Sequence, residues 1–106
     1  WSGPSKLGPI IYQIGGEWTN YGNQTIYGFV EALAPKINAL VVTAEHRFYG
    51  ESNPFTPQNK NYDHDSNYLG LLSIEQAMAD YMELLSFWKN KYFNCSLCPV
   101  IVLGGS

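Results

Sequence analysis

The apolar positions of this chain change their period several times, and each change marks an element. Pro9-Ile10-Ile11-Tyr12-Gln13-Ile14 is short, β-branched and aromatic, and Gly15-Gly16 stops it, which predicts a strand. A polar turn follows at Thr19-Asn20-Tyr21-Gly22-Asn23. Ile26, Phe29, Val30, Leu33 and Ala34 then fall on one helix face at i, i+3, i+4, i+7 and i+8. Pro35 disfavours a helical backbone at Ala34, so this helix ends or kinks there. Ala39-Leu40-Val41-Val42-Thr43-Ala44 is apolar with almost no alternation, the pattern of a strand covered on both faces and hence of a central parallel strand. Residues 50–68 mix Gly, Pro, Asp and Asn without periodicity and read as a long loop.

The longest helix signal comes next. Ser73 and Gln76 have the spacing of a capping box, in which hydroxyl and amide satisfy N–H groups at a helix start. Ile74, Ala77, Met78, Tyr81, Leu84, Leu85, Trp88 and Tyr92 repeat at helical spacing, with Glu75 near the start and Lys89 and Lys91 near the end, as the helix dipole favours. Pro99-Val100-Ile101-Val102-Leu103 is a further apolar strand that runs into Gly104-Gly105-Ser106. The sum is a βαβαβ pattern, an α/β class with a parallel sheet and helices on its faces. Three parallel strands alone leave long exposed edges, so residues 1–106 are expected to pair with more sheet as the N-terminal part of a larger catalytic domain.

Composition narrows the possibilities. Hydrophobic residues make up 45% of the 106, enough to bury a core and inconsistent with intrinsic disorder. Net charge is −3, which disfavours binding to nucleic acid. The longest apolar runs, Ala39–Val42 and Val100–Leu103, are too short for a membrane span, which takes roughly 20 residues. The chain opens at Trp1 without Met or an apolar leader, so a signal peptide is expected to have been removed or to lie outside it.

Asn23-Gln24-Thr25 and Asn94-Cys95-Ser96 fit the N-glycosylation pattern, and an aromatic content of 15% also leans towards a secreted protein. Cys95 and Cys98 form a Cys-x-x-Cys between a helix and a strand. This is the wrong context for a thioredoxin-like site and lacks the second pair of a zinc ribbon. They are read as disulfide candidates, paired with each other or with cysteines elsewhere. No metal and no cofactor is expected.

Two glycine turns carry the candidate chemistry. Gly104-Gly105-Ser106, at the end of a strand, matches the first half of a Gly-x-Ser-x-Gly nucleophile elbow, in which small neighbours let a sharp turn project the serine hydroxyl. Gly15, Gly16 and Glu17, after the first strand, could bring a backbone N–H to an oxyanion. Taken singly, each is better read as an ordinary glycine turn.

The stretch between them decides. Ala44-Glu45-His46-Arg47-Phe48-Tyr49-Gly50-Glu51-Ser52 closely resembles the Glu-His-Arg-aromatic-Tyr-Gly-x-Ser segment of the S28 serine peptidases. Ser73-Ile74-Glu75-Gln76-Ala77-Met78-Ala79-Asp80 is similar to that family's Thr-x-Glu-Gln-Ala-Leu-Ala-Asp helix. Gly104-Gly105-Ser106 resembles the start of its elbow, and Gly8-Pro9-Ile10 with Gly15-Gly16-Glu17 its early strand and loop.

The resemblance implies an α/β-hydrolase fold with a Ser-Asp-His triad, an inserted helical cap, and exopeptidase cleavage of proline-containing peptides, as a carboxypeptidase or a dipeptidyl-peptidase. Ser106 would be the nucleophile. The Asp and His follow the serine in this fold and so lie beyond these residues, which leaves neither His46 nor His64 as the base. Glu45, His46 and Arg47 read as a polar network bracing the loops of the site, with direct substrate contact as the alternative. Trp18 stands where the family often has a further glycine, which puts the oxyanion role of Gly16 or Glu17 in question. A secreted or lysosomal location is implied, and a homodimer is compatible with it. The rival readings are another α/β-hydrolase, an esterase or lipase, and a non-catalytic secreted binding domain related to the enzyme.

Overall fold

The computed structural model describes residues 8–17, 26–54 and 66–105. Its strands are β1 (Ile10–Ile14), β2 (Leu40–Ala44) and β3 (Val100–Leu103), and its helices are α1 (Gly28–Leu33), the single turn α2 (Ser66–Leu69) and α3 (Ile74–Lys91). The sheet is parallel with the order β2-β1-β3. Ile10 pairs with Leu40 on one side and Val100 on the other, and the register continues to Gln13 opposite Thr43 and Leu103.

Among the described strands the central one is β1, not the uninterrupted apolar segment that becomes β2. β1 pairs on both sides and is covered on both faces, whereas Leu40 to Thr43 in β2 are only half-buried. A segment's own apolarity reports covering, and cannot say which strand it pairs with.

Alternate residues of β1 serve two cores. Ile10 and Tyr12 face α3, where they pack with Ala77, Tyr81, Leu85 and the two cysteines. Ile11 faces α1 and packs with Val30, Ala34 and Ala39. Gln13 is the polar exception. It is 2% exposed, and its Oε1 accepts the Tyr27 N–H at 3.0 Å, satisfying a donor at the start of α1 that has no partner within the helix.

The helix ends follow local chemistry. α1 stops at Leu33, and the chain tightens at Pro35 into a 3₁₀ turn over Ala34–Ile37. Asn38 then takes a left-handed φ of 52°, while Ala39 N–H returns to the Ala34 carbonyl at 2.8 Å. This is a Schellman closure with Asn in place of the usual Gly. At the start of α3, Ser73 Oγ accepts the Gln76 N–H at 3.2 Å, so half of the expected capping box forms. The Gln76 side chain is engaged elsewhere.

Beyond α3, Cys95 and Cys98 are bonded to each other, with Cα atoms 5.3 Å apart, and both are buried beneath the helix. Among the described residues, no helix is long and apolar enough to cross a membrane.

Candidate active site

With the order β2-β1-β3, the chain leaves β1 towards one side of the sheet and later returns to pair on the other. The crevice of an open α/β sheet forms at the carboxyl ends of the strands where such a reversal occurs. A pocket of about 420 Å³ lies there. Residues 15–17 after β1 and Gly104 and Gly105 after β3 line it, with His46 from the turn after β2 and Ile74, Met78 and Tyr81 from α3. The two glycine turns singled out in the sequence therefore share one cavity.

Both turns are close-packed against their surroundings. A Cβ on Gly15 would come within 2.6 Å of the Ala44 carbonyl oxygen, which accepts the Gly15 N–H at 2.8 Å. A Cβ on Gly105 would lie 2.8 Å from the Tyr27 hydroxyl oxygen. Glycine is needed at residue 15 because the chain passes directly against a neighbouring strand's backbone.

His46 lines the pocket, and its Nδ1 donates to the Arg47 carbonyl at 2.7 Å, since a carbonyl can only accept. Its ring packs edge-on against Tyr49 and Tyr81. Glu45 Oε2 accepts the Ser52 N–H at 2.8 Å, folding the 45–52 turn onto itself. Within that turn Phe48 has a φ of 69°, an uncommon backbone state for a bulky residue, and Gly50 a φ of 53°. Arg47 points away from the pocket towards α3, where it bonds Asp80, Gln76 Oε1 and the Leu71 carbonyl. Gln76 accepts from Arg47 instead of completing its capping box.

Several participants were not assigned to the site from the sequence. Asp80 and Gln76 belong to the helix motif but carry no sequence sign of their partner. Tyr81 reads as one more member of an apolar stripe, yet its hydroxyl donates to the Gly15 carbonyl at 2.9 Å. Burial, with the charges of Asp80 and Glu45 behind it, pushes the Tyr81 phenol up to about 12. Burial also raises the phenol of Tyr12, whose hydroxyl has no hydrogen-bond partner among the described residues.

Ser106, Trp18, Asn23 and His64 lie outside the described residues. Asn94, the other sequon asparagine, is exposed even though Cys95 beside it is buried and bonded.

The sequence matches the Serine carboxypeptidase S28 family over residues 4–106. The chain belongs to that family. It is 42% identical over 100 residues to a Caenorhabditis elegans "Prolyl carboxy peptidase like protein 5" and 40% identical over 103 residues to the human "Lysosomal Pro-X carboxypeptidase". It is 34% identical over 99 residues to the human "Thymus-specific serine protease". Each comparison covers 93% of this chain but only 18–19% of the relative, so the chain spans about a fifth of the length of the curated relatives it matches. S28 peptidases are α/β hydrolases, and the parallel β2-β1-β3 sheet with helices on its faces is a piece of that fold.

Proposed function

We propose that this chain is the N-terminal part of the catalytic domain of a serine exopeptidase that cleaves peptides beside proline, with Ser106 as its nucleophile. One observation carries the reading. The glycine turns after β1 and β3 line the same pocket, and the second of them directly precedes position 106.

In this mechanism Ser106 Oγ attacks the peptide carbonyl carbon while a histidine from a later part of the enzyme takes its proton. The backbone N–H of Gly16 or Glu17 stabilises the oxyanion. The C–N bond then breaks, the amine leaves with the proton, and water hydrolyses the acyl-enzyme. Glu45, His46 and Arg47 brace the site. Their bonds run within the 45–52 turn and onto α3, which is how a scaffold for the loop would be built.

Proline as the recognised residue is supported by the names of the prolyl and Pro-X carboxypeptidases at about 40% identity. A lysosomal or secreted location is supported by the lysosomal relatives and by the two sequons.

The test is covalent labelling of the full-length protein that carries this chain. A fluorophosphonate should modify Ser106 and leave Ser52 and Ser73 untouched, and peptide mapping by mass spectrometry reads the site. An adduct on a different serine overturns the assignment. Because the base in this reading comes from a later part of the enzyme, the 106 residues by themselves should turn over no peptide.

A further inference from the structure

We infer that Tyr81 is a positioning residue for the oxyanion-binding amide of Gly16: its hydroxyl fixes the peptide plane that carries this N–H. The inference rests on the reading of residues 15–17 as the oxyanion loop, and names the group that holds that loop in its working orientation.

The Gly15 carbonyl and the Gly16 N–H belong to one planar, trans peptide unit and point in opposite directions. Anchoring the carbonyl therefore sets the direction of the amide. Gly-Gly is the pair least able to hold such a plane unaided, because neither residue has a Cβ to restrict its dihedrals. Two bonds supply what the side chains do not. The Gly15 N–H is held by the Ala44 carbonyl at 2.8 Å, and the Gly15 carbonyl by the Tyr81 hydroxyl at 2.9 Å.

Tyr81 is itself firmly placed. It is 4% exposed, and its ring meets those of Tyr12 and His46 edge-on at 6.1 and 6.3 Å between centroids. A phenol raised to about 12 remains protonated, and so remains a donor, across the range in which peptidases work. Donation to the carbonyl also polarises the peptide and strengthens its N–H as a donor. The anchor reaches across 66 residues of sequence, from the middle of α3 to the end of β1. Gly16 is buried, and among the described residues its N–H has no acceptor, the state of an amide kept for an incoming oxygen.

The test uses the full-length enzyme, a prolyl peptide substrate and a prolyl boronate that mimics the tetrahedral intermediate. Wild-type protein should bind the boronate and take a fluorophosphonate on Ser106. Failure of either overturns the peptidase reading and this inference with it. Tyr81→Phe removes only the hydroxyl. It should lower kcat by about tenfold or more, keep KM within about twofold, and weaken boronate binding in parallel with kcat. An unchanged kcat, or a loss confined to KM, overturns the inference and leaves the peptidase reading standing. A second measurement needs no variant: boronate binding to wild type should slow hydrogen exchange of the Gly16 amide. Equal exchange with and without boronate counts against the Gly16 amide as the donor.

Discussion

The Arg47 guanidinium grips both carboxylate oxygens of Asp80, with Nε to Oδ2 at 2.6 Å and Nη2 to Oδ1 at 2.7 Å, across 33 residues of sequence. The same guanidinium gives its remaining nitrogen, Nη1, to the Leu71 carbonyl and to Gln76 Oε1. One side chain from the turn after β2 thereby joins the segment entering α3 to its first two turns. That turn also presents His46 to the pocket, so Arg47 couples the placement of α3 to the rim of the candidate site.

Arg47→Lys keeps the charge but loses the planar fork, and an ammonium cannot reproduce this set of four contacts. The pair is partly open to solvent, so water takes over some of what is lost and the cost stays modest. Arg47→Lys should lower the stability of the full-length protein by about 1–2 kcal/mol, read from the denaturant midpoint at constant m-value. Stability equal to wild type would show that the fork is not needed.

The Arg47 guanidinium, bonded to the Asp80 carboxylate, holds that carboxyl below its ordinary value of 3.8. A carboxylate with a depressed folded-state value contributes stability that is complete above the unfolded value and is lost as pH falls through the folded one. The melting-temperature gap between wild type and Asp80→Asn should therefore stay constant above about pH 5 and close below about pH 4. A gap that widened on acidification would contradict the pairing. In a mildly acidic compartment the brace remains intact.

The elements were legible because each depends on local period. The helix face from Ile26 to Leu33 and the apolar run from Val100 to Leu103 announce themselves within a few residues. Strand order was not, because the apolar run of Ala39–Ala44 encodes a strand and not that β1 separates it from β3. The partners in the site were hidden for a related reason. Gln76 has the spacing of a cap, but Arg47, brought near by the fold, claims its side chain. Tyr81 has the spacing of a core residue and is one. Only the three-dimensional meeting of α3 with the end of β1 gives its hydroxyl an acceptor.

Gly50 has a φ of 53°, and the place its Cβ would take is filled by the Glu45 carboxylate. Alanine there meets two penalties, a left-handed backbone and the displacement of Glu45 from the Ser52 N–H. Gly50→Ala should cost about 1–2 kcal/mol from the backbone term alone. Replacing Glu45 by Ala as well removes the collision, so the double variant should lose less than the two single losses added together. Strict additivity would place the two residues out of contact.

Asn94 sits in the turn between α3 and β3 with a φ of 47° and an exposed side chain. The turn is pinned on both sides of it. The Cys95 N–H bonds the Lys89 carbonyl at 3.0 Å, the Lys89 ammonium donates to the Cys98 carbonyl at 2.9 Å, and the Cys95–Cys98 bond closes the loop beneath. Burial falls on the sulfur side and leaves the asparagine in solvent, where a glycan adds bulk without displacing core. Produced in a secretory host, the full-length protein should lose part of its glycosidase-sensitive mass when Asn94 becomes Gln, and melt as wild type does after deglycosylation. The disulfide closes only a short loop, so Cys98→Ser should lower stability by about 2 kcal/mol through the unfolded chain. That variant should still carry the glycan, because the asparagine does not depend on the bond for its exposure. Intact mass spectrometry reads both results, and an Asn94→Gln protein with an unchanged glycosidase shift would mean that this turn is never modified.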